Sequence, residues 1–256
     1  SKKLSPKYEL YANATANYRA INFTDVQIQP NTQLVDTLIK DESGYSFDLG
    51  IRRRNFSPFF VEASLFYIFY DNRIGEVIDD GIRVRTNIGL ARIFGVELFF
   101  ELDVLAALRK KSEHKVSVFV NGSVNRGVYT KINERALVGV RTGNRLEDLP
   151  EYNIKTGLGY GFRKFTTSLQ ATFVGDQFSD AANTVEPFVG VFGVIPAYTV
   201  WDFSAKYVFS ERFRLSTSIN NLLDQAYFTR RAVAYPGPGI IPALGRTWNL
   251  TLSISL

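Results

Sequence analysis

The chain has no cysteine, no methionine, one histidine and no long hydrophobic run. Without cysteine there can be no disulfide, no thiolate metal site and no cysteine nucleophile. Without methionine the chain reads as processed or partial, and no stretch of it looks like a signal peptide. The single histidine, His114, lies in the charged stretch Arg109 to Lys115, which reads as a solvated turn. A catalytic base needs a positioned partner, and the sequence identifies none. No enzyme is expected, and no cofactor. No run of about 18 apolar residues occurs, which excludes a helical membrane span but not strands that hide their hydrophobicity by alternation. The net charge is +5, but no helix rich in Lys and Arg accompanies it, so nucleic acid is not the expected partner.

What the chain does have is alternation. From Trp248 to Leu256 every even position is apolar and every odd one small or polar. That is a strand with one greasy and one wet face. Similar stretches recur, giving ten strands at about 7–19, 44–53, 59–70, 93–105, 115–127, 152–162, 164–175, 198–209, 212–224 and 246–256. Most are longer than the roughly 5–6 residues usual in soluble sheets. They suit strands that cross a bilayer at a tilt, which need about 9–11 residues.

The connections alternate as well. Short turns fall near 54–58, 106–114, 163 and 210–212, and long loops near 20–43, 71–92, 128–151, 176–197 and 225–245. The 71–92 stretch, which holds Asp79-Asp80-Gly81, Arg83 and Arg85, reads as a loop with room for a small hairpin. Aromatics gather near strand ends, as at Tyr8 and Tyr18, Tyr160 and Phe162, and Tyr207 and Phe209, where they would form girdles at headgroup level. Glu97, Glu101 and Asp103 share one strand face, which a watery lumen tolerates and a dry core does not. Gly157, Gly159 and Gly161 line one face of a strand and read as relief of crowding. The expected fold is all-β, an antiparallel transmembrane β-barrel with about ten strands here.

Particular residues carry a resemblance to a known family. Asn220-Asn221-Leu222-Leu223-Asp224-Gln225-Ala226-Tyr227 resembles the NNLFDxxY element of TonB-dependent outer-membrane receptors, with Leu223 where Phe is usual. Gly245-Arg246-Thr247-Trp248 is similar to their last-strand start, although the chain ends in Leu256 where many end in Phe or Tyr. Tyr18-Arg19-Ala20-Ile21-Asn22-Phe23 and Gly95-Val96-Glu97 fit too. Narrower stretches resemble the ferric-citrate (ferric dicitrate) receptors: Ile195 to Asp202, Phe178 to Thr184, Phe228 to Arg231, and Tyr235-Pro236-Gly237-Pro238-Gly239-Ile240.

The resemblance implies a barrel of about 22 strands around an N-terminal plug. Residues 1–256 would be its C-terminal portion, with the plug domain and earlier strands absent from this chain. It implies TonB-dependent uptake of a ferric chelate, ferric citrate or a similar siderophore, in the outer membrane of a Gram-negative bacterium. A passive porin-like channel and a surface binding or adhesion barrel are the alternatives. The implied partners are the remainder of the receptor, the TonB complex, the ferric chelate, and outer-membrane lipid with lipopolysaccharide. Guanidinium forks match carboxylates bidentately, so the expected ligand contacts are Arg141, Arg145, Arg230 and Arg231, with Gln177 and Asn183 adding neutral hydrogen bonds. No resident metal is expected.

Overall fold

The computed structural model describes residues 1–28, 33–53, 57–185, 190–232 and 239–255. Pro30, the first part of the turn read at 54–58, the Tyr235-Pro236-Gly237-Pro238 stretch and Leu256 lie outside them. In chain order the first elements are β1 (Lys2–Lys3), β2 (Tyr8–Arg19), α1 (Phe23–Val26), β3 (Gln33–Val35), β4 (Glu42–Arg53), β5 (Phe59–Asp79), β6 (Ile82–Asp103), α2 (Val104–Ala107) and β7 (His114–Ile132). There follow β8 (Tyr152–Phe162), β9 (Phe165–Val174), β10 (Gln177–Phe178), β11 (Val194–Ile195), β12 (Tyr198–Val208), β13 (Phe213–Asn220), β14 (Phe228–Ala232), β15 (Gly239–Pro242) and β16 (Thr247–Ile254). Each of the ten expected strands has its counterpart. Among the described residues no helix is long and apolar enough to cross a membrane.

The main sheet runs β1-β2-β4-β5-β6-β7-β8-β9-β12-β13-β16. Antiparallel register carries each face coherently from strand to strand. Phe47 pairs with Ala14 and Tyr67, Leu65 with Leu49 and Val96, and Val96 with Val124. These apolar residues stay exposed, as do Trp248, Leu250 and Leu252 on β16. The opposite face carries Glu97 beside Ser64 and Ser123, Lys155 beside Asn121 and Thr172, and Ser204 beside Ser168 and Ser218.

On this polar face, rings lie over glycines of the neighbouring strand. Tyr11 covers Gly50, Phe66 covers Gly95 and Phe119 covers Gly157, each a direct register pair. A Cβ on any of the three would stand under 3.0 Å from the ring. The expected relief of crowding at Gly157 thus has a specific source, the Phe119 ring beside it. Glycine gives up side-chain packing so that a ring can lie flat and seal the gap.

The expectation of an antiparallel transmembrane barrel is corrected on two counts. Among the described residues the sheet is open: β16 pairs only with β13, β1 pairs only with β2, and no ladder joins the two ends. Nor is it wholly antiparallel, because β3 joins β6 in parallel, and with β1 it brings the sheet to twelve strands rather than ten. Alternation reports which face of a strand is apolar. Whether the first and last strands meet is a matter of end-to-end pairing, on which a period of two is silent.

The 71–92 region is also more ordered than a loop. It is the outer half of a hairpin in which β5 has 21 residues and β6 has 22. The hairpin turns at Asp80 and Gly81, with φ of 47° and 83°, as a two-residue turn on an Asp-Gly pair requires. Beyond Tyr70 both faces carry charge, and Glu76 pairs directly with Arg85, so the apolar alternation that marks the sheet body vanishes.

The main buried cluster lies at this long-loop end, not in the sheet body, which is a single layer. Val77, Ile88, Ala91, Tyr129, Ala136, Val140, Leu146 and Ala181 form it. Where the body gives way to the extension, β5 and β6 shift register between Tyr70 and Ile74. Asn87 spans the shift: its side-chain amide donates to the carbonyls of Asn72 (2.6 Å) and Lys40 (2.9 Å) and its oxygen accepts from the Lys40 amide (2.7 Å). Gly89 follows at φ 146°, and a Cβ there would stand 2.0 Å from the Lys131 carbonyl oxygen. Gly89→Ala is expected to destabilise the protein by on the order of 1–3 kcal/mol, read as a lower urea midpoint in lipid vesicles. Gly161→Ala, which meets nothing closer than 3.6 Å, should leave that midpoint in place.

Candidate functional site

The long loops are tied to one another by charge. Arg19 ends β2, and the next turn is fixed by a capping box in which the Asn22 side chain accepts from the Asp25 amide and Asp25 accepts from the Asn22 amide. This turns the Asp25 carboxylate inward, where it is fully buried. It accepts from Arg19 Nη2 at 2.7 and 2.8 Å and from Arg85 at 2.8 and 3.2 Å. Arg85 continues to Glu76 (3.1 Å), which also pairs with Arg83, while Arg19 reaches Glu42 (3.3 Å). Glu42 in turn accepts the Ile74 amide at 2.7 Å. Burial works to raise the pKa of Asp25, but Arg19, the Asn22 amide and Arg85 outweigh it and hold the carboxyl below its ordinary range.

A second knot joins the loops after β7 and β9. Arg145 Nη1 and Nη2 donate to the carboxylate and the carbonyl of Asp176 at 2.9 and 2.7 Å, and its guanidinium lies over the Phe178 ring. Asn183, at φ 57°, accepts the Arg145 amide (2.6 Å) and donates to the Arg145 carbonyl (2.8 Å). Nearby, Tyr129 donates to Glu147 at 2.8 Å and Arg73 stands 3.6 Å from the same carboxylate. The neighbouring Asp148 carboxyl is raised by burial and by the Glu147 charge, against the pull of Arg230 and Arg73. A third knot involves β14: Arg231 donates to the carbonyls of Gly190 (2.7 Å) and Val194 (2.8 and 3.3 Å).

The six expected ligand contacts therefore occupy three kinds of place. Arg145, Asn183 and Arg231 bond loop to loop. Gln177 lies half-buried in β10, paired in register with Ile195. Arg141 and Arg230 are exposed, the first at a turn where its carbonyl accepts the Asn144 amide, the second within electrostatic reach of Asp148. Of these residues, the structure brings together Arg145 with Asn183. Asp25, Glu42, Glu76 and Glu147 were not anticipated. Reading Asp80-Gly81 as a hairpin turn would have placed Glu76 opposite Arg85, but nothing local points Asp25 at Arg85.

On the polar face of the sheet a shallow groove of about 530 Å³ is lined by Tyr11, Glu62, Glu97, Asn121, Asn153 and Lys155 among others. Glu97 accepts from the Ser64 hydroxyl at 3.3 Å, and Asp103 caps α2 through the Ala106 amide. Two of the three acids on this strand face thus take neutral donors. No group of three or more His, Asp or Glu side chains among the described residues could hold a metal ion. The arrangement offers hydrogen bonding and charge.

Asp25→Asn is expected to cost about 3 kcal/mol, the low end for removing one partner of a buried ion pair, because Arg19 keeps access to water. Hydrogen exchange should quicken across residues 19–28 and 73–85 and stay unchanged in β8 and β9. The same lock is sensitive to acid. A carboxyl lowered on folding stabilises in full above about pH 4, its ordinary value, and loses that contribution as pH falls through the lowered one. Exchange of the 22–28 amides, corrected for the intrinsic rate, should therefore rise below about pH 4 in the wild type and show a much smaller step in Asp25→Asn, whereas Ile21, whose amide Asp41 accepts, keeps its own acid step in both.

Residues 3–222 match the family described as TonB dependent receptor-like, beta-barrel. A curated relative, the vitamin B12 transporter BtuB of Vibrio vulnificus (strain YJ016), is 25% identical over 96% of this chain and 34% of its own length. The chain thus spans about a third of that relative. The crystal structure of the ferric citrate transporter FecA in its unliganded form superposes with a TM-score of 0.76 at 22% identity, covering 98% of this chain and 36% of that one. The ferric yersiniabactin uptake receptor FyuA from Yersinia pestis gives 0.73 at 21%, covering 98% and 35%. At these identities the two structures speak for the fold alone. The family match over most of the chain decides the rest: the chain belongs to the TonB dependent receptor-like, beta-barrel family, is an outer-membrane protein of a Gram-negative bacterium, and is not an enzyme.

Proposed function

We propose that residues 1–256 are the C-terminal portion of a longer receptor that takes up a ferric chelate across the outer membrane, driven by the TonB complex. The observation that carries this reading is the family match over residues 3–222. The length of the relative, of which this chain covers 34%, supports a remainder that holds the plug domain and earlier strands. The cargo is ferric citrate or a similar anionic siderophore complex. Two features support an anionic cargo: Arg141 and Arg230 are exposed on the long loops, and their neighbours Arg145 and Arg231 are spent on holding those loops in place. A loop fixed in advance loses less entropy when it closes on a ligand. An exposed guanidinium on such a loop offers a carboxylate two parallel donors. Gln177 and Asn183 belong to the frame around these arginines, and lipopolysaccharide is the neighbour proposed for the exposed apolar face near the long loops.

Calorimetric titration of the full-length receptor tests this. Ferric citrate should bind, and iron-free citrate should bind far more weakly. Arg141→Ala and Arg230→Ala should each weaken ferric citrate by about 1–3 kcal/mol, the range for a hydrogen bond to a charged group. Binding of another ferric chelate with no heat from ferric citrate would overturn the cargo and keep the uptake. Binding of cobalamin with none of any ferric chelate would overturn the iron assignment.

A further inference from the structure

The short-turn end of the sheet has a charge character of its own. Three of its turns are neighbours: 107–115 leads into β7, 163–164 joins β8 to β9, and 209–214 joins β12 to β13. Together they carry eight cations (Arg109, Lys110, Lys111, Lys115, Arg163, Lys164, Arg212 and Arg214) against two acids, Glu113 and Glu211. All ten side chains belong to exposed residues. Contacts across the turns make the row continuous. Arg163 pairs with Glu113 at 2.7 Å, and Lys164 Nζ donates to the Phe209 carbonyl at 2.9 Å. The long-loop end is different, because Arg19, Arg85 and Arg145 there each meet a carboxylate.

Directly beside this basic row, on the apolar face, is a belt of aromatic rings, of which His114, Tyr160 and Tyr207 carry a polar edge. His114 stacks on Phe162 with centroids 4.4 Å apart and its Nδ1 lies 2.8 Å from the Tyr160 hydroxyl. Phe165 stands in register with both Phe162 and Tyr207, and Tyr207 packs edge-on against Phe209. Tyr160, Tyr207, Phe209 and Phe213 are all exposed. Rings of this kind settle where acyl chain gives way to headgroup, and cations one turn beyond them sit at the depth of the phosphate.

We propose that this rim is a binding surface for anionic glycerophospholipid, in the leaflet opposite the long loops. The phosphodiester and any further headgroup charge meet the lysines and arginines of the three turns while the acyl chains lie against the ring belt. The turns are too short to carry their charges far from the apolar band. That favours a diester at the edge of the acyl layer over a sugar-borne phosphate farther out.

Native mass spectrometry of the full-length receptor released from nanodiscs of mixed phosphatidylglycerol and phosphatidylcholine tests the proposal. Phosphatidylglycerol should be retained in preference, and less so as salt is raised. The variant Lys110→Gln/Lys111→Gln/Lys164→Gln should lower the phosphatidylglycerol-to-phosphatidylcholine ratio at least about tenfold, from three cationic charges lost at the surface. The same three positions changed to Arg should keep the ratio, and Lys131→Gln on the long-loop side should not alter it. Equal retention of the two lipids by the wild type, or an unchanged ratio in the triple Gln variant, sinks the proposal. Preferential retention of lipid A over phosphatidylglycerol at this rim overturns the choice of lipid.

Discussion

A strand bounded by apolar surroundings has one place to send its backbone hydrogen bonds, sideways to another strand. That constraint organises this molecule. Its long strands lie side by side in sequence order from β4 to β9, and each ladder keeps its polar and apolar faces in phase with the next. Because the sheet body is one layer, it has little interior of its own. Its strength lies in continuous ladders, in rings laid over glycines on the polar face, and in the surroundings that cover the apolar face.

Where the strands leave that environment, a second kind of organisation takes over. Carboxylates become the anchors, Asp25 buried, Glu147 partly buried and Asp176 half exposed. Asp25 collects Arg19 from nearby and Arg85 from sixty residues away, Glu147 collects Arg73 and the Tyr129 hydroxyl, and Asp176 holds Arg145. Such pairs add little net stability when made and cost much when half broken. They therefore serve definition more than strength, since only one arrangement of the loops satisfies all of them. The two ends of the sheet differ accordingly. One carries long loops whose arginines are largely neutralised by fixed acids, and the other carries short turns whose cations outnumber their acids.

The sheet body was legible in the sequence because its environment imposes a strict period of two. β8 spans the expected 152–162 without change, and β9, β12 and β16 begin or end within a residue or two of expectation. The loops were less legible. The outer half of β5 and β6 lost its alternation on leaving the apolar layer, so Glu76 opposite Arg85 looked like loop chemistry. Arginines stood out as candidate ligand contacts, but composition does not say which guanidinium is already occupied. Arg145 and Arg231 turned out to be fasteners, whereas Arg141 and Arg230 stay exposed.

The sequence by itself determined the strands, their two faces and the segregation of short turns from long loops, since each of these is written in residues a few positions apart. It also held the motifs that resemble the family. Only the tertiary structure decided that the described residues form an open sheet, that β3 joins it in parallel, and that Asp25 sits between Arg19 and Arg85. Those facts depend on residues far apart in the chain meeting at particular distances. Local periodicity carries no information about such meetings, because it is the same whichever partners a strand edge or a buried charge finally finds.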